Sequence, residues 1–133
     1  MEIPEKTKSL FERTSLVALG TADNQGMPNV VAVFWKKIVN KDTILLIDNF
    51  MHATKDNILK NNKVCVSFWD PSTEEAYKIK GIATYHTTGP VYETGKKFIQ
   101  SKKPDRIPKG VIEIRVHEVF DITPGPNAGK MIL

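Results

Sequence analysis

The chain has 133 residues, of which 41% are hydrophobic and 26% are charged, and it contains one cysteine. This composition is ordinary for a globular protein and excludes the collagen-like, disulfide-rich and intrinsically disordered classes. The length suits a single domain over residues 1–133 with a core of its own. A net charge of +4 favours anionic ligands, because a basic surface attracts them.

The sequence also limits the compartment and the partners. No segment approaches the roughly 18 apolar residues of a membrane-spanning helix, and the first residues, MEIPEKTKSLFERT, lack the apolar stretch of a signal peptide. The lone Cys65, in the apolar run VCVSFW, fits a reducing compartment and a place in the core. Lysines alternate with acidic residues without any RNA-recognition signature, which disfavours nucleic acid as a partner. We therefore expect a cytoplasmic protein with no membrane partner.

The first half of the chain predicts a helix followed by a three-stranded meander. Pro4 suits the first turn of a short helix, which covers the body with one narrow apolar face and serves as a lid at most. Strand-like runs then follow, separated by the turn sequences DNQG and NKD: Ser15–Ala22, Asn29–Ile38 and Thr43–Ile47. A second helix is expected over Ala53–Asn61.

The second half predicts three more strands: Val64–Trp69, Tyr77–Thr87 and Val111–Thr123. Helical spacing over Val91–Ser101 predicts a third helix. Gly81 lies inside a long strand, where glycine is unfavourable unless it allows a bulge or a sharp bend of the kind that closes a small barrel. We therefore expect a mainly β fold, a six-stranded antiparallel barrel with two or three short helices. The C-terminal PGPNAGKMIL is expected to form neither helix nor strand and to lie on another surface.

Residues 44–62, ILLIDNFMHATKDNILKNN, form the candidate ligand site. A strand runs into a turn and then into a helix, whose first N–H groups lack intrahelical acceptors and whose dipole favours an anion. Thr54 and Asn57 add a hydroxyl and an amide, Lys55 adds a positive charge, and His52 in the turn is a further donor. The segment predicts a phosphate site. The alternative is an ordinary helix start, with Thr54 as its N-terminal residue.

Other side chains with catalytic potential are sparse. His52, His86 and His117 are far apart and do not have the spacing of metal ligands. No GxSxG, GxxxxGK[ST] or strand-linked GxGxxG sequence is present. Trp35 and Trp69 could cover a planar ligand or belong to a core or interface. We predict no catalytic side chain and no metal site.

Three stretches carry a family resemblance: VALGTADNQGMPNVVAVFW, IDNFMHATKDNILKNNKVCVSF and YKIKGIATYHTTGPVYE. Their order and separation, over roughly residues 15–95, resemble the flavin-binding split-barrel family that includes pyridoxamine 5'-phosphate oxidase and the small FMN-binding proteins. The resemblance implies a split β-barrel and a homodimer that holds FMN at the subunit interface.

The same resemblance implies roles for individual residues. It sets the FMN phosphate at the turn from His52 to Asn57, with Thr54 as a contacting hydroxyl. The position of the usual basic residue corresponds to Ala53, so Lys55 or Lys60 would have to supply the charge. The ring is expected along a strand and the turn: Val31, Ala32, Val33, Phe34, Asp48, Asn49, Phe50 and Met51. Lys80 is expected to face its pyrimidine side and to favour reduced, anionic flavin.

The resemblance also indicates the kind of activity. The arginine- and histidine-bearing C-terminal stretch that grips the substrate of true pyridoxamine phosphate oxidases is absent from PGPNAGKMIL, so that activity is not expected. An oxidoreductase or electron-transfer protein with a small-molecule or protein redox partner is expected instead. Two alternatives remain: the same barrel with a deazaflavin coenzyme or haem, and a barrel module that binds nucleic acid or a protein through its lysines.

Overall fold

The computed structural model describes residues 2–133 as an antiparallel sheet with three helices. The strands are β1 (Val17–Ala22), β2 (Pro28–Val33), β3 (Lys36–Asn40), β4 (Thr43–Asp48), β5 (Lys63–Trp69), β6 (Ala76–His86), β7 (Gly110–Asp121) and β8 (Lys130–Met131). The helices are α1 (Glu5–Arg13), α2 (Ala53–Lys60) and α3 (Pro90–Lys102). The order of the longer strands is β2-β1-β5-β6-β7-β4-β3, and β8 pairs with β7. The prediction of a mainly β fold with short helices is confirmed.

The predicted strand count of six is wrong, because the expected strand Asn29–Ile38 is two strands. The chain pairs with β1 as far as Val33 and with β4 from Lys36 onward. Only Phe34 and Trp35 separate β2 from β3, although these strands are the two ends of the sheet. Two edge strands that are joined by only two residues must be close in space, so the sheet curls into a barrel. Within residues 2–133 no ladder joins β2 to β3, and the barrel is therefore split.

Alternate strand residues and one face of α1 fill the barrel. The fully buried side chains include Val17, Leu19, Ile44, Leu46, Val66, Phe68, Ile79, Ile112 and Ile114. Leu10 and Phe11 of α1 belong to the same cluster, and the rings of Phe11 and Phe68 meet edge to face with their centroids 5.3 Å apart. Helix α1 is thus part of the core and does more than the expected lid.

Two expectations about apolar residues are corrected. Cys65 is half-buried rather than in the core, because β5 alternates and turns Val64 and Val66 inward. The C-terminal segment does form a short strand, β8, and Leu133 packs against the barrel core. No helix in the described part of the chain combines the length and the apolar character needed to cross a bilayer.

Gly81 lies at the bulge that the sequence predicts, and the extra residue of the bulge, His117, belongs to β7. The register between β6 and β7 shifts between Lys80 and Gly81. A Cβ at residue 81 would overlap the carbonyl oxygen of Arg115 on β7. That oxygen belongs to the backbone of a paired strand and cannot move aside without disturbing the ladder. Glycine is therefore required for the two strands to approach each other here.

Asp48, the last residue of β4, fixes the turn that leads to α2. Its carboxylate is fully buried and has no lysine or arginine partner among residues 2–133. Oδ1 accepts a hydrogen bond from the backbone N–H of Met51 at 2.7 Å, and Oδ2 accepts one from the hydroxyl of Tyr85 at 2.5 Å. Burial and the hydrogen bond to Asp48 raise the pKa of Tyr85, so the phenol remains a donor. The turn is thus attached to β6 through a buried carboxylate.

We expect Gly81→Ala to lower the free energy of unfolding by about 1–3 kcal/mol, because the added methyl group overpacks the β6–β7 ladder. Gly20→Ala is the matched control, since a Cβ there would meet the carbonyl oxygen of Cys65 at 3.5 Å, an ordinary contact. Urea unfolding measures both variants. Equal transition midpoints for the two variants would contradict the proposed strand contact.

We expect Tyr85→Phe to lower the free energy of unfolding by about 1–3 kcal/mol, because it leaves one oxygen of Asp48 buried without a donor. The raised pKa of Tyr85 adds a dependence on pH. Above about pH 10 the unfolded tyrosine ionises while the folded one stays protonated, so stability is lost as the pH rises. This alkaline loss, measured by urea unfolding at several pH values, should be smaller in Tyr85→Phe. An unchanged pH profile would rule out this role for Tyr85.

Candidate functional site

A groove of 430 Å³ lies beside β2, the end of β4 and the start of α2. Most of the residues that the sequence predicts for a ligand site line it: Val31, Ala32, Val33, Phe34, Asn49, Phe50, Met51, His52, Ala53 and Thr54. Asn29, Trp35, Ile47 and Arg106 complete the lining. The volume is within the range of about 300–1,000 Å³ that is common for small-molecule sites, and the walls are mainly apolar, as in such sites.

The first turn of α2 contributes polar backbone groups to the groove. The helix begins at Ala53, and no side chain caps its first N–H groups. The first intrahelical bond in this turn is donated by the N–H of Asp56 to the carbonyl oxygen of His52 at 3.2 Å. The N–H groups of residues 53–55 therefore lack intrahelical acceptors, and the positive end of the helix dipole lies here. His52 and Ala53 are exposed, so an anion can reach this turn.

Thr54 connects this turn to β2. Its hydroxyl oxygen is buried and accepts a hydrogen bond from the side-chain amide of Asn29 at 3.1 Å. The hydroxyl hydrogen is still available as a donor. Both residues line the groove, so they hold β2 and α2 in a fixed relation at its polar end.

Asp48 and Asn57, two of the predicted site residues, lie beneath the groove rather than in its lining. Asp48 is buried under the turn, as described above. Asn57 faces inward, and its amide donates to the hydroxyl of Thr21 at 3.0 Å. Both side chains make structural hydrogen bonds within the chain, and their predicted ligand contacts stay predictions.

The predicted lysines also lie outside this groove. The ammonium of Lys55 lies over the ring of Tyr85, 5.3 Å from its centroid. Lys60 is the last residue of α2, about 10 Å along the axis from the start of the helix. Lys80 lines a second groove and has its ammonium 5.3 Å from the ring centroid of Phe120. None of the three lysines lines the first groove, and their predicted contacts with a ligand stay predictions.

Arg106, which the sequence analysis did not single out, lines the groove. It belongs to the loop between α3 and β7, where its backbone N–H donates to the carbonyl oxygen of Lys103 at 2.9 Å and its carbonyl oxygen accepts from the amide of Gln100 at 3.0 Å. The ammonium of Lys109 donates to the carbonyl oxygen of Met51, which attaches this loop to the turn before α2. The basic composition of the loop was visible in the sequence, but its proximity to the turn was not.

The side-chain oxygen of Asn49 is buried behind the groove wall and has no hydrogen-bond partner among the described residues. A buried acceptor without a donor costs about 1–3 kcal/mol. Because water does not reach this oxygen, it is not open to a ligand in the groove either.

The second groove, of 480 Å³, runs over the outer surface of β1, β5 and β6. Its lining includes Cys65, Lys80, His117 and Val30, and it shares Asn29 with the first groove. Burial raises the pKa of the Cys65 thiol, so it is a poor nucleophile near neutral pH. Within residues 2–133 no three side chains of the metal-ligating types cluster.

Comparison with known proteins gives a consistent match over the whole fold. The family model for pyridoxamine 5'-phosphate oxidase matches residues 3–123. An uncharacterised protein of Methanocaldococcus jannaschii is 35% identical over 130 residues, which cover 96% of this chain and 85% of that protein. The crystal structure of HupZ from Group A Streptococcus is 30% identical, with a TM-score of 0.84, and the match covers 96% of this chain and 99% of HupZ.

More distant structures share the fold alone. An FMN-binding protein from Syntrophomonas wolfei has a TM-score of 0.77 at 14% identity, over 89% of this chain and 84% of that one. An F420 reductase has a TM-score of 0.66 at 19% identity, over 88% and 98% of the two chains. HutZ, the haem storage protein from Vibrio cholerae, has a TM-score of 0.66 at 14% identity, over 91% and 95%. Relatives with this fold thus bind different cofactors.

The family expected from the three sequence stretches is confirmed by a model that spans nearly the whole barrel and by a relative of similar length. The chain belongs to the pyridoxamine 5'-phosphate oxidase family.

Proposed function

We propose that the chain is an FMN-binding flavoprotein that acts as an oxidoreductase or an electron-transfer protein. The main support for this proposal is the groove. Its lining includes the uncapped start of α2, and its other walls are mainly apolar. A phosphate on one end of a planar, largely apolar ring system needs both features.

The groove residues fit the separate parts of FMN. The N–H groups at the start of α2 and the hydroxyl of Thr54 would hold the phosphate. The side chains of Ala32, Phe34 and Phe50 would cover the ring system. The phosphate and the ring system thus each have suitable residues.

The protein's contribution to the reaction is binding and orientation. When bound, FMN supplies the capacity to accept and donate electrons, including as hydride. The apolar side chains of β2 exclude water from one wall, and Asp48 holds the turn that carries Asn49 and Phe50. His52 is the only titratable group other than Arg106 in the lining formed by the described residues, and it is exposed to solvent. This scarcity of acid–base groups agrees with chemistry carried by a cofactor.

We favour FMN over a deazaflavin or haem. The FMN-binding protein, the F420 reductase and the haem storage protein share the fold, so the fold alone does not distinguish these cofactors. The groove has an anion-receptive helix start, which an FMN phosphate would occupy.

The exposed apolar side chains support a homodimer. Phe34 and Phe50 border the first groove with 59% and 80% of their surface exposed, and Val30 borders the second groove with 67% exposed. These side chains are too apolar to prefer water. Most of the other residues of β1 and β2 are also small or apolar. A second copy seated on this surface would cover them, and its Lys80 could then approach the ring from outside the chain that holds it.

If FMN is the cofactor, the purified protein should be yellow or should bind added FMN, and binding should quench the fluorescence of the flavin.

Ala53→Glu should weaken FMN binding by about tenfold, because it sets a carboxylate beside the phosphate site. It should not destabilise α2, since an acidic residue is favourable in a first helical turn. Ala53→Gln is the neutral control of equal size. A protein that leaves the FMN spectrum unchanged, or that prefers coenzyme F420 or haemin in parallel titrations, would refute the proposal.

The proposed dimer predicts twice the mass of the chain in sedimentation equilibrium. Val30→Lys should shift the protein toward monomer, because it introduces a charge into the apolar surface that the second copy covers. Leu59→Lys is the control, since Leu59 is similarly exposed at 63% but lies on α2 outside both grooves. A monomeric wild-type protein at micromolar concentration would contradict the dimer.

A further inference from the structure

We infer that Arg106 supplies the positive charge for the FMN phosphate and replaces the basic residue that this chain lacks at Ala53. The inference rests on the proposed function and adds a binding residue to it. It also changes the origin of the charge, from the strand-to-helix turn to a loop about 50 residues further along the sequence.

Arg106 is the only lysine or arginine among the described residues that lines the groove. The two lysines expected to serve are directed elsewhere, Lys55 over the ring of Tyr85 and Lys60 at the far end of α2. An anion in the groove would therefore meet one cationic side chain, and that side chain is Arg106.

The guanidinium of Arg106 has no partner of opposite charge within the chain. No carboxylate of residues 2–133 lies within 4 Å of it, and no side chain of that part accepts a hydrogen bond from it. The residue is half-buried. A guanidinium without an internal partner can donate its paired N–H groups to a fixed anion, and a phosphate has the matching geometry.

The loop that carries Arg106 is held against the turn. The hydroxyl of Tyr92 donates to the carbonyl oxygen of Pro108 at 2.8 Å, and Lys109 donates to the carbonyl oxygen of Met51. The backbone bonds of Arg106 to Lys103 and Gln100 fix the middle of the loop. These contacts do not use the guanidinium, so it is positioned by the backbone and is available to a ligand.

The surrounding charge favours the same conclusion. Residues 96–109 contain six basic residues and one acidic residue, which gives this stretch a net charge of +5, whereas the whole chain has +4. The rest of the chain is thus close to neutral, and the positive potential is concentrated in α3 and the loop that borders the groove. Such a concentration raises the encounter rate with anions at this end of the groove.

The test compares FMN with riboflavin, which has the same ring without the phosphate. Arg106→Ala should raise the dissociation constant of FMN by about 10- to 100-fold, the range for losing hydrogen bonds to a charged group. The dissociation constant of riboflavin should change by less than about twofold, because only the phosphate contact is lost. Flavin fluorescence titrations of the full chain give both constants. Arg115→Ala is the matched control and should leave both unchanged, because Arg115 is exposed on β7 and lines neither groove.

Arg106→Gln gives a second variant of similar length, and urea unfolding verifies that each variant is folded. The backbone atoms of residue 106 make its contacts within the chain, so both substitutions preserve them. Equal weakening of FMN and riboflavin, unchanged FMN binding, or an equal effect of Arg115→Ala would overturn the role of Arg106 while FMN binding itself stands. A wild-type chain that binds neither flavin would overturn both the role and the proposed function.

Discussion

The buried carboxylate of Asp48 is the constraint on which the site depends. A carboxylate taken out of water must be given donors, and here one donor is the N–H of Met51 and the other is the hydroxyl of Tyr85. The first bond sets the path of the chain after β4, and the second fastens that path to β6. The start of α2, and with it the polar end of the groove, is therefore determined by a buried group outside the groove lining.

The groove also depends on how the barrel is split. Strands β2 and β3 are the two ends of the sheet, and Phe34 and Trp35 connect them. The two strands do not pair with each other. A fully closed barrel would fill this region with ladder hydrogen bonds. The split instead leaves the side chains of β2 beside the turn after β4, which gives the groove its apolar wall.

Local sequence signals predicted the fold and much of the groove lining, because the strand, the turn and the helix start are consecutive in the chain. Gly81 was also predictable, since a glycine within a long strand implies a bulge. The side-chain directions of Asn57 and Lys80 were not, because they follow from packing and register between strands distant in sequence. The break at Phe34 was hidden for a similar reason: an unbroken apolar run does not reveal where a strand changes its partner.

Arg106 illustrates the remaining limit of local reasoning and its consequence for the site. The position of a cationic side chain in the turn would depend only on the conformation of the turn. The position of a cationic side chain in the α3–β7 loop depends on how the loop is attached to the turn. The contact between Lys109 and the carbonyl oxygen of Met51 makes that junction, two residues before Ala53 and next to the backbone that Asp48 fixes. Since Met51 is held from one side by its N–H and from the other by its carbonyl oxygen, the loop and the helix start share one support. The proposed phosphate site is therefore coupled to the buried carboxylate through a single residue of the turn.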